Sequence, residues 1–290
     1  MSEFKYIGLL AKSDETRVKD TLTHLVDFLQ DRGHEVLMDQ AVCGYLGDHL
    51  NEVDCEELGQ RADLVIVVGG DGTMLNAARR MADFDIPILG INLGRLGFLV
   101  DISPDEMEGR LTRILDGDYV EENRFLLQGS VFRDEEEIFT GSVFNDIVYH
   151  VRDVVRMIEF ETHIDGVYVN TQRSDGMVVS TPSGSTAYAM SAGGPIIEPG
   201  LNAIVLAPIC PHTLTNRPIV VSSDSKIDVI ASRANRASGQ VSFDGQTNVD
   251  ILNGDRIHIR RKPKPARLLH PSDHNYFHIL RAKLHWGEQP

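Results

Sequence analysis

Residues Asp63–Val68 read DLVIVV and run straight into Gly69-Gly70-Asp71-Gly72-Thr73. A strand with one wet face alternates apolar and polar residues. An unbroken apolar run marks a strand covered on both faces, which is the habit of parallel sheets flanked by helices. Parallel neighbours need crossover connections, and those are right-handed, so this one run already selects a layered α/β architecture. The surrounding sequence agrees. Tyr6–Ala11 is a short apolar run, and Glu15–Gln30 carries Val18, Leu22, Leu25, Val26 and Leu29 at helical spacing. Gly33 reads as the C′ residue ending that helix. His34–Met38 predicts a second strand, Asn51–Leu58 a short helix, Met74–Ala82 a helix and Ile86–Ile91 a further strand.

Ser103-Pro104-Asp105-Glu106 has the capping-box pattern, so a helix is expected over Ser103–Leu115, with Gly117 ending it. The pattern changes near Tyr119. Phe125–Phe132, Ile138–Val148, Ile158–Val169, Ile219–Ile230 and Ile257–Arg260 are rich in Val, Ile, Phe and Thr and are separated by turn residues. Such spacing predicts antiparallel β structure. Ser183–Ala192 is the one stretch within it with helical potential. The expectation is an α/β domain with a parallel sheet over residues 1–119 and a mostly antiparallel, β-sandwich-like domain over 120–268. Residues 269–290 form an apolar tail that packs back on the α/β domain.

Composition narrows the partners. Against 43 Asp and Glu stand 28 Lys and Arg, a net charge of −15. That excess disfavours general nucleic-acid binding, which needs a basic stripe, and docking on an anionic membrane. An anionic small molecule must then be held by backbone dipoles, a few placed cations or a metal. The three cysteines, Cys43, Cys55 and Cys210, fit neither a disulfide framework nor a zinc motif. With no leader-like start and no long apolar run, a cytoplasmic protein is expected.

Ligands of open α/β sheets bind beyond the carboxyl ends of the strands, where the glycine turn falls. Glycines allow backbone N–H groups close approach to an anion, and a helix N-terminus adds positive partial charge. The sequence is neither GxxxxGK[ST] nor GxGxxG. Asp71 is the odd member, because a carboxylate repels phosphate. It suits a base for an attacking hydroxyl or a contact to a phosphate-bound Mg²⁺. It equally suits a helix N-cap. Asn145-Asp146 follows an alternating stretch and reads as the end of a strand, where an amide beside a carboxylate suits an adenine edge and ribose hydroxyls, or an Asx turn. Arg173 and Asp175, two apart, are expected on one face of a strand, as ligand contacts or as a surface ion pair.

The GGDGT turn resembles one shared by NAD kinases and by lipid kinases of the diacylglycerol and sphingosine type, with a close variant in phosphofructokinases. All move a phosphoryl group to a hydroxyl, so the turn implies a reaction and no particular substrate. Five further segments resemble NAD kinases alone: Gly90–Leu99 (GINLGRLGFL), Phe144-Asn145-Asp146, Arg173–Pro195, Pro208–Pro218 and Asp244-Gly245-Gln246. They occur in order between residues 65 and 246, and the chain is identified as a member of the bacterial-type NAD kinase family. Asn76 departs from the family turn, where a small residue or histidine is common.

The resemblance implies phosphorylation of the adenosine ribose 2′-hydroxyl of NAD, with ATP as donor and Mg²⁺ or another divalent cation carried on it. It implies Asp71 as catalytic base and a binding set of Gly70, Gly72, Thr73, Asn76, Phe98, Asn145, Asp146, Arg156, Arg173, Asp175, Thr186, Ala187, Tyr188, Ser191 and Gln246. It further implies NAD bound in a cleft between the domains, and homodimers or homotetramers. A lipid or sugar kinase sharing GGDGT, or a non-catalytic NAD(P)-binding module, are the alternatives. The tail histidines His270, His274 and His278 recur every four residues, which makes a metal face only on a helix. With no cysteine nearby, no protein-held metal is expected there.

Overall fold

The structure is a computed structural model that describes residues 4–11, 16–47, 51–94, 97–152 and 157–287. It divides into two compact units, Met1–Asn123 with Ala266–Pro290, and Arg124–Pro265.

The first unit is layered α/β. Its elements are β1 (Tyr6–Ala11), α1 (Thr16–Asp31), β2 (Glu35–Met38), α2 (Gln40–Leu46), α3 (Cys55–Arg61), β3 (Leu64–Gly69), α4 (Asp71–Met81), β4 (Pro87–Asn92), α5 (Met107–Leu115) and β5 (Tyr119–Arg124). Their sheet runs β2-β1-β3-β4, then takes in Ala266–Pro271 and ends on β5. The pairings of β1 with β2, β1 with β3, and β3 with β4 are all parallel. Every residue of β3 and β4 is buried, which is why their sequence cannot alternate. Helix α1 turns Val18, Leu22, Leu25 and Leu29 into the core at 2% exposure or less. It ends as its glycine predicts. Gly33 takes φ +83°, its N–H donates to the Gln30 carbonyl (2.9 Å), and the His34 N–H donates to the Leu29 carbonyl (3.0 Å). Helix α2 was not legible, since its apolar residues fall in a seven-residue stretch too short to show a helical period. Asp39 caps it by accepting from the Val42 N–H.

The second unit is a sandwich of two six-stranded sheets. In chain order it has β6 (Leu127–Arg133), β7 (Glu136–Val143), β8 (Asp146–Val151), β9 (Ile158–Ile164), β10 (Val167–Ser174), β11 (Gly176–Ser180), α6 (Tyr188–Ser191), β12 (Ala203–Ile209), β13 (Ile219–Ser222), β14 (Ile227–Ala231), β15 (Gly239–Phe243), β16 (Thr247–Ile251) and β17 (Arg256–Arg261). One sheet has the order β10-β9-β14-β17-β6-β7 and the other β13-β12-β11-β8-β15-β16. Residues of both meet in one core, among them Leu127, Ile147, Phe160, Val179, Val241 and Phe243. The second sheet is also covered on its other face. Val148 and Val178 point away from that core and pack with Ala189 and Ile197. Hence the middles of both strands, Ile147-Val148-Tyr149 and Met177-Val178-Val179, read as apolar on successive residues.

Strand β18 (Ala266–Pro271) returns the chain to the first sheet, parallel to β4, and α7 (Tyr276–Leu284) buries Ile279 and Leu280. The expected divisions at residues 119/120 and 268/269 each fall inside a strand of this sheet, β5 and β18.

Three local expectations are corrected. Helix α4 begins at Asp71, ahead of the predicted Met74, because the extended Gly70 carbonyl accepts from both Thr73 N (3.0 Å) and Met74 N (3.1 Å). Ser183–Ala192 is a 3₁₀ turn (Ser183–Thr186) and the four-residue α6, broken at Ala187. Hydroxyls and close backbone contacts there compete with helix formation. Lastly, Arg173 and Asp175 do not share a strand face. The chain changes sheet at Asp175, between β10 and β11, and no ion pair joins the two among the described residues.

Candidate active site

The strand order β2-β1-β3-β4 reverses direction between β1 and β3, which puts the glycine turn after β3 at a topological switch point. Gly69 is tightly enclosed, as a Cβ there would lie 2.5 Å from Thr73 Oγ1. Gly70 and Gly72 are exposed. The N–H groups of Asp71 and Gly72 open α4 and find no acceptor among the described residues. A helix end of this kind, with open backbone N–H groups, suits an anion.

Asp71 is the first residue of α4, and Gly70 holds the cap position, so the N-cap reading of Asp71 is corrected. Its carboxylate turns instead to the segment following β4. Oδ2 accepts from Phe98 N (2.8 Å) and Oδ1 from Leu99 N (3.1 Å). Asn92 shapes that segment, its Oδ1 accepting from Gly94 N (2.9 Å) and its Nδ2 donating to the Val100 carbonyl (3.4 Å). Gly97 has no room for a side chain, because a Cβ would lie 2.0 Å from Asp71 Oδ1. Asp71 and Phe98 are thus brought together. The Phe98 ring sits under the Lys283 ammonium of α7, 5.7 Å from its centroid. Thr73 lies on the first turn of α4 and is half-buried, while Asn76 is exposed on the same helix.

In the second unit the start of β8, the end of β11 and the end of β15 converge. Asp146 is registered against Ser180, and Ile147 against Phe243. Asp244 follows β15 in a left-handed conformation (φ +50°), as does Gly245 (φ +65°). Its carboxylate accepts three consecutive backbone N–H groups, from Phe144 (2.9 Å), Asn145 (2.8 Å) and Asp146 (3.1 Å). Thr181 fixes the same segment from the other side. Its Oγ1 donates to the Phe144 carbonyl (2.6 Å) and accepts from Gly184 N (3.1 Å). A Cβ on Gly184 would lie 2.3 Å from the Asn145 carbonyl oxygen. Sequence reasoning did not single out Asp244 and Thr181 as site residues, although both lie in quoted motifs. An aspartate in an Asp-Gly turn looks like turn chemistry until its long-range partners are known.

Asn145 is half-buried, and its amide has no partner among the described residues. Asp146 is 6% exposed, and no hydrogen bond reaches its carboxylate among the described residues. Burial, with the Asp244 carboxylate adding repulsion, pushes its carboxyl up to about 7. A buried carboxylate without donors is a site waiting for hydroxyl or amide donors.

Thr186 and Ala187 are half-buried, and Tyr188 (46% exposed) and Ser191 face solvent. Ser185 is buried and ties Pro182 to Ile197, so it is no nucleophile. Gln246 is exposed in the β15–β16 turn. Arg173 is exposed and lines a cavity of about 530 Å³ with Glu159, Asn235 and Arg236. Arg156 lies outside the described residues.

A glycine turn at a switch point, a helix end with open N–H groups and a fixed carboxylate beside them define a nucleotide-dependent phosphotransferase. Two family models match the chain, the ATP-NAD kinase N-terminal domain over residues 7–119 and the ATP-NAD kinase C-terminal domain over 144–270. The chain belongs to the NAD kinase family, and it is an enzyme of phosphoryl transfer. It is 50% identical to the NAD kinase of Nitrosococcus oceani, over 99% of this chain and 98% of that one. It is 48% identical to the NAD kinase of Pseudomonas putida, over 100% and 98%. Among solved structures it resembles an NAD kinase from Archaeoglobus fulgidus in complex with ATP (TM-score 0.74, 30% identity, covering 97% of this chain and 98% of that one). It shares the fold of a yeast NADH kinase complexed with NADH (TM-score 0.89, 22% identity, 99% and 89%).

Proposed function

We propose that this enzyme transfers the γ-phosphoryl group of ATP to the 2′-hydroxyl of the adenosine ribose of NAD, with Asp71 as the group that takes the hydroxyl proton. The observation that carries this reading is the Asp71 carboxylate, oriented by the Phe98 and Leu99 N–H groups beside the open N-terminus of α4. Each carboxylate oxygen spends one lone-pair direction on the backbone and keeps another for an incoming hydroxyl. The Asp71 and Gly72 N–H groups receive phosphate oxygens without adding a mobile cation. A Mg²⁺ carried on the triphosphate would offset part of its charge, and Asp71 is the carboxylate that would hold it. Catalysis then rests on positioning and on fixed dipoles, as expected for phosphoryl transfer.

Asn145 and Asp146 receive the adenosine. The ribose hydroxyls supply the donors that the buried Asp146 carboxylate lacks, and the Asn145 amide pairs with the adenine edge. Thr186, Ala187 and Tyr188 follow the Gly184 turn held against Asn145 and wall the same ligand.

The test is NADP formation by Asp71→Asn against the parent enzyme. The expected outcome is a loss of several orders of magnitude in kcat with NAD binding retained. Near-normal kcat in that variant removes Asp71 as the base. A substrate panel containing diacylglycerol and sphingosine separates this reading from a lipid kinase.

A further inference from the structure

The segment Gly97–Asp101 carries the two N–H groups that clamp Asp71, so whatever fixes the segment fixes the carboxylate. Its own backbone does little. No residue of it lies in a strand, and its internal bond, from Gly97 N to the Val100 carbonyl, is 3.3 Å long. Leu99 and Val100 are buried, and Asn92 ties the Val100 carbonyl. The side chains of Phe98 and Asp101 find their partners at the far end of the chain.

Strand β18 is the parallel neighbour of β4, so both end at the sheet edge where the segment begins. His270 lies near the end of β18 and His274 in the turn before α7. Their imidazoles stack, with centroids 3.9 Å apart and planes 27° from parallel, and are 1% and 5% exposed. Asp101 Oδ2 accepts from His270 Nδ1 (3.3 Å) and from His274 Nδ1 (2.6 Å). An ionised carboxylate only accepts, so each Nδ1 carries the hydrogen. Burial pushes the Asp101 carboxyl up, and the two imidazoles outweigh it, holding the group well below the usual carboxylate range. Both Nε2 atoms are buried without a hydrogen bond, with a Glu122 oxygen 3.8 Å from each. Apolar side chains would fill that space without the desolvation cost. The pair is therefore accounted for by what it holds. Further on, α7 is anchored by the buried Ile279 and Leu280 and carries Lys283. The Lys283 ammonium stands 5.7 Å from the centroid of the Phe98 ring and makes no hydrogen bond or ion pair among the described residues. A cation over a ring is attracted by the ring's quadrupole.

We infer that the returning C-terminal stretch positions the catalytic carboxylate: His270 and His274 hold Asp101, Lys283 holds Phe98, and these two grips keep the Phe98 and Leu99 N–H groups aimed at Asp71. This rests on the reading of Asp71 as the proton acceptor. All of these residues belong to the first unit. His270, His274 and Lys283 act through the segment, as positioning residues. A loosened clamp lets the carboxylate wander by about an ångström, which is costly in turnover and little felt in NAD binding.

The experiment compares His274→Phe with His274→Asn in the full chain. Phenylalanine keeps the ring and its stack but has no donor. Asparagine is smaller but places an amide N–H where Nδ1 stood. His274→Phe should lower kcat at least about tenfold, with KM for NAD within about twofold of the parent. His274→Asn should exceed His274→Phe in kcat at least about threefold. A packing role gives the reverse order. Hydrogen exchange of the Phe98 and Leu99 amides should be at least about threefold faster in His274→Phe than in the parent. Lys283→Met should lower kcat about 2–5-fold and speed the same exchange, with Lys283→Arg between it and the parent. Lys283 is half-buried, so Lys283→Met keeps the test decisive if the His274 variants unfold. His278→Ala, exposed on α7, should behave as the parent does. Exchange reports the clamp whatever Asp71 does chemically, so near-normal kcat in Asp71→Asn removes the base and leaves the exchange result standing. Parent-like exchange in His274→Phe and Lys283→Met overturns the inference. So does a kcat of His274→Phe at or above that of His274→Asn. A raised KM for ATP with parent-like kcat in Lys283→Met makes Lys283 a phosphate contact and overturns its part.

Discussion

Asp71 makes two backbone hydrogen bonds while facing the helix end that we assign to phosphate, so its position depends on neighbours as small as Gly97. Gly97→Ala puts a methyl group on the carboxylate, which must then give up the Phe98 and Leu99 N–H groups. Misplacement by an ångström is expensive in catalysis, and each lost hydrogen bond costs about 0.5–1.5 kcal/mol. The expected outcome is kcat lowered at least about tenfold, with the melting temperature lowered by about 2–8 °C. Steady-state kinetics beside calorimetry checks it, and a parent-like kcat would show that the carboxylate keeps its place. Asp146 makes a pH prediction. Its carboxyl is raised to about 7 in the folded chain from an ordinary value of 3.8. A raised value means the folded state holds a proton that the unfolded chain has lost. Its stabilising contribution is complete below about pH 4, declines as pH rises and is gone above about pH 7. Asp146→Asn removes that decline. Without ligand, the variant should gain on the parent from pH 5 to pH 8 by on the order of 2–4 kcal/mol in urea unfolding. A pH-independent difference would place no titrating carboxyl there. The Asn145-Asp146 pair was legible as chemistry from residue type and position. Its lack of internal donors was not, because that depends on Asp244 and Thr181, which are distant in sequence.

At the level of elements, strand and helix assignments follow local pattern, and the exceptions have local causes. The unbroken DLVIVV run, the Gly33 stop and the alternating β stretches each encode burial by period, so β3, α1 and most sandwich strands were predictable. Helix α2 and the start of α4 were missed because capping, not periodicity, decides them. The Ser183–Ser191 region shows tertiary override. Thr181, Ser185 and Gly184 bind backbone groups of other segments and leave two short turns where a helix was possible. Thr181→Val keeps the shape and removes both hydrogen bonds of the buried hydroxyl, leaving the Phe144 carbonyl and the Gly184 N–H unpaired. The expected cost is about 2–4 kcal/mol in chemical unfolding, with a raised KM for NAD. Parent-like stability and KM together would show that other bonds hold the segment.

For the whole molecule, charge and topology set the limits. A chain of net charge −15 repels ATP and NAD at long range. Raising ionic strength from about 0.01 to 0.15 M shortens the Debye length from about 30 to 8 Å. At fixed free Mg²⁺, kcat/KM for ATP should therefore rise over that interval, as initial rates in a salt series will read. A fall would show that nearby cations outweigh the global field. No helix of the described residues is long and apolar enough to cross a membrane. The sequence by itself determined the class of each half, because burial period is a local property that survives in one dimension, and the resemblance of its glycine turn implied the reaction type. It also held the motifs that place the chain in its family. Tertiary structure alone decided that the sheet of the first unit closes on residues 266–271, returned from the far end of the chain. It alone turned Asp71 from a helix cap into a clamped carboxylate, separated Arg173 from Asp175 across two sheets, and stacked His270 on His274 between two acids. Those outcomes depend on which distant backbone groups and side chains come within 3 to 4 Å, and no local pattern carries that information.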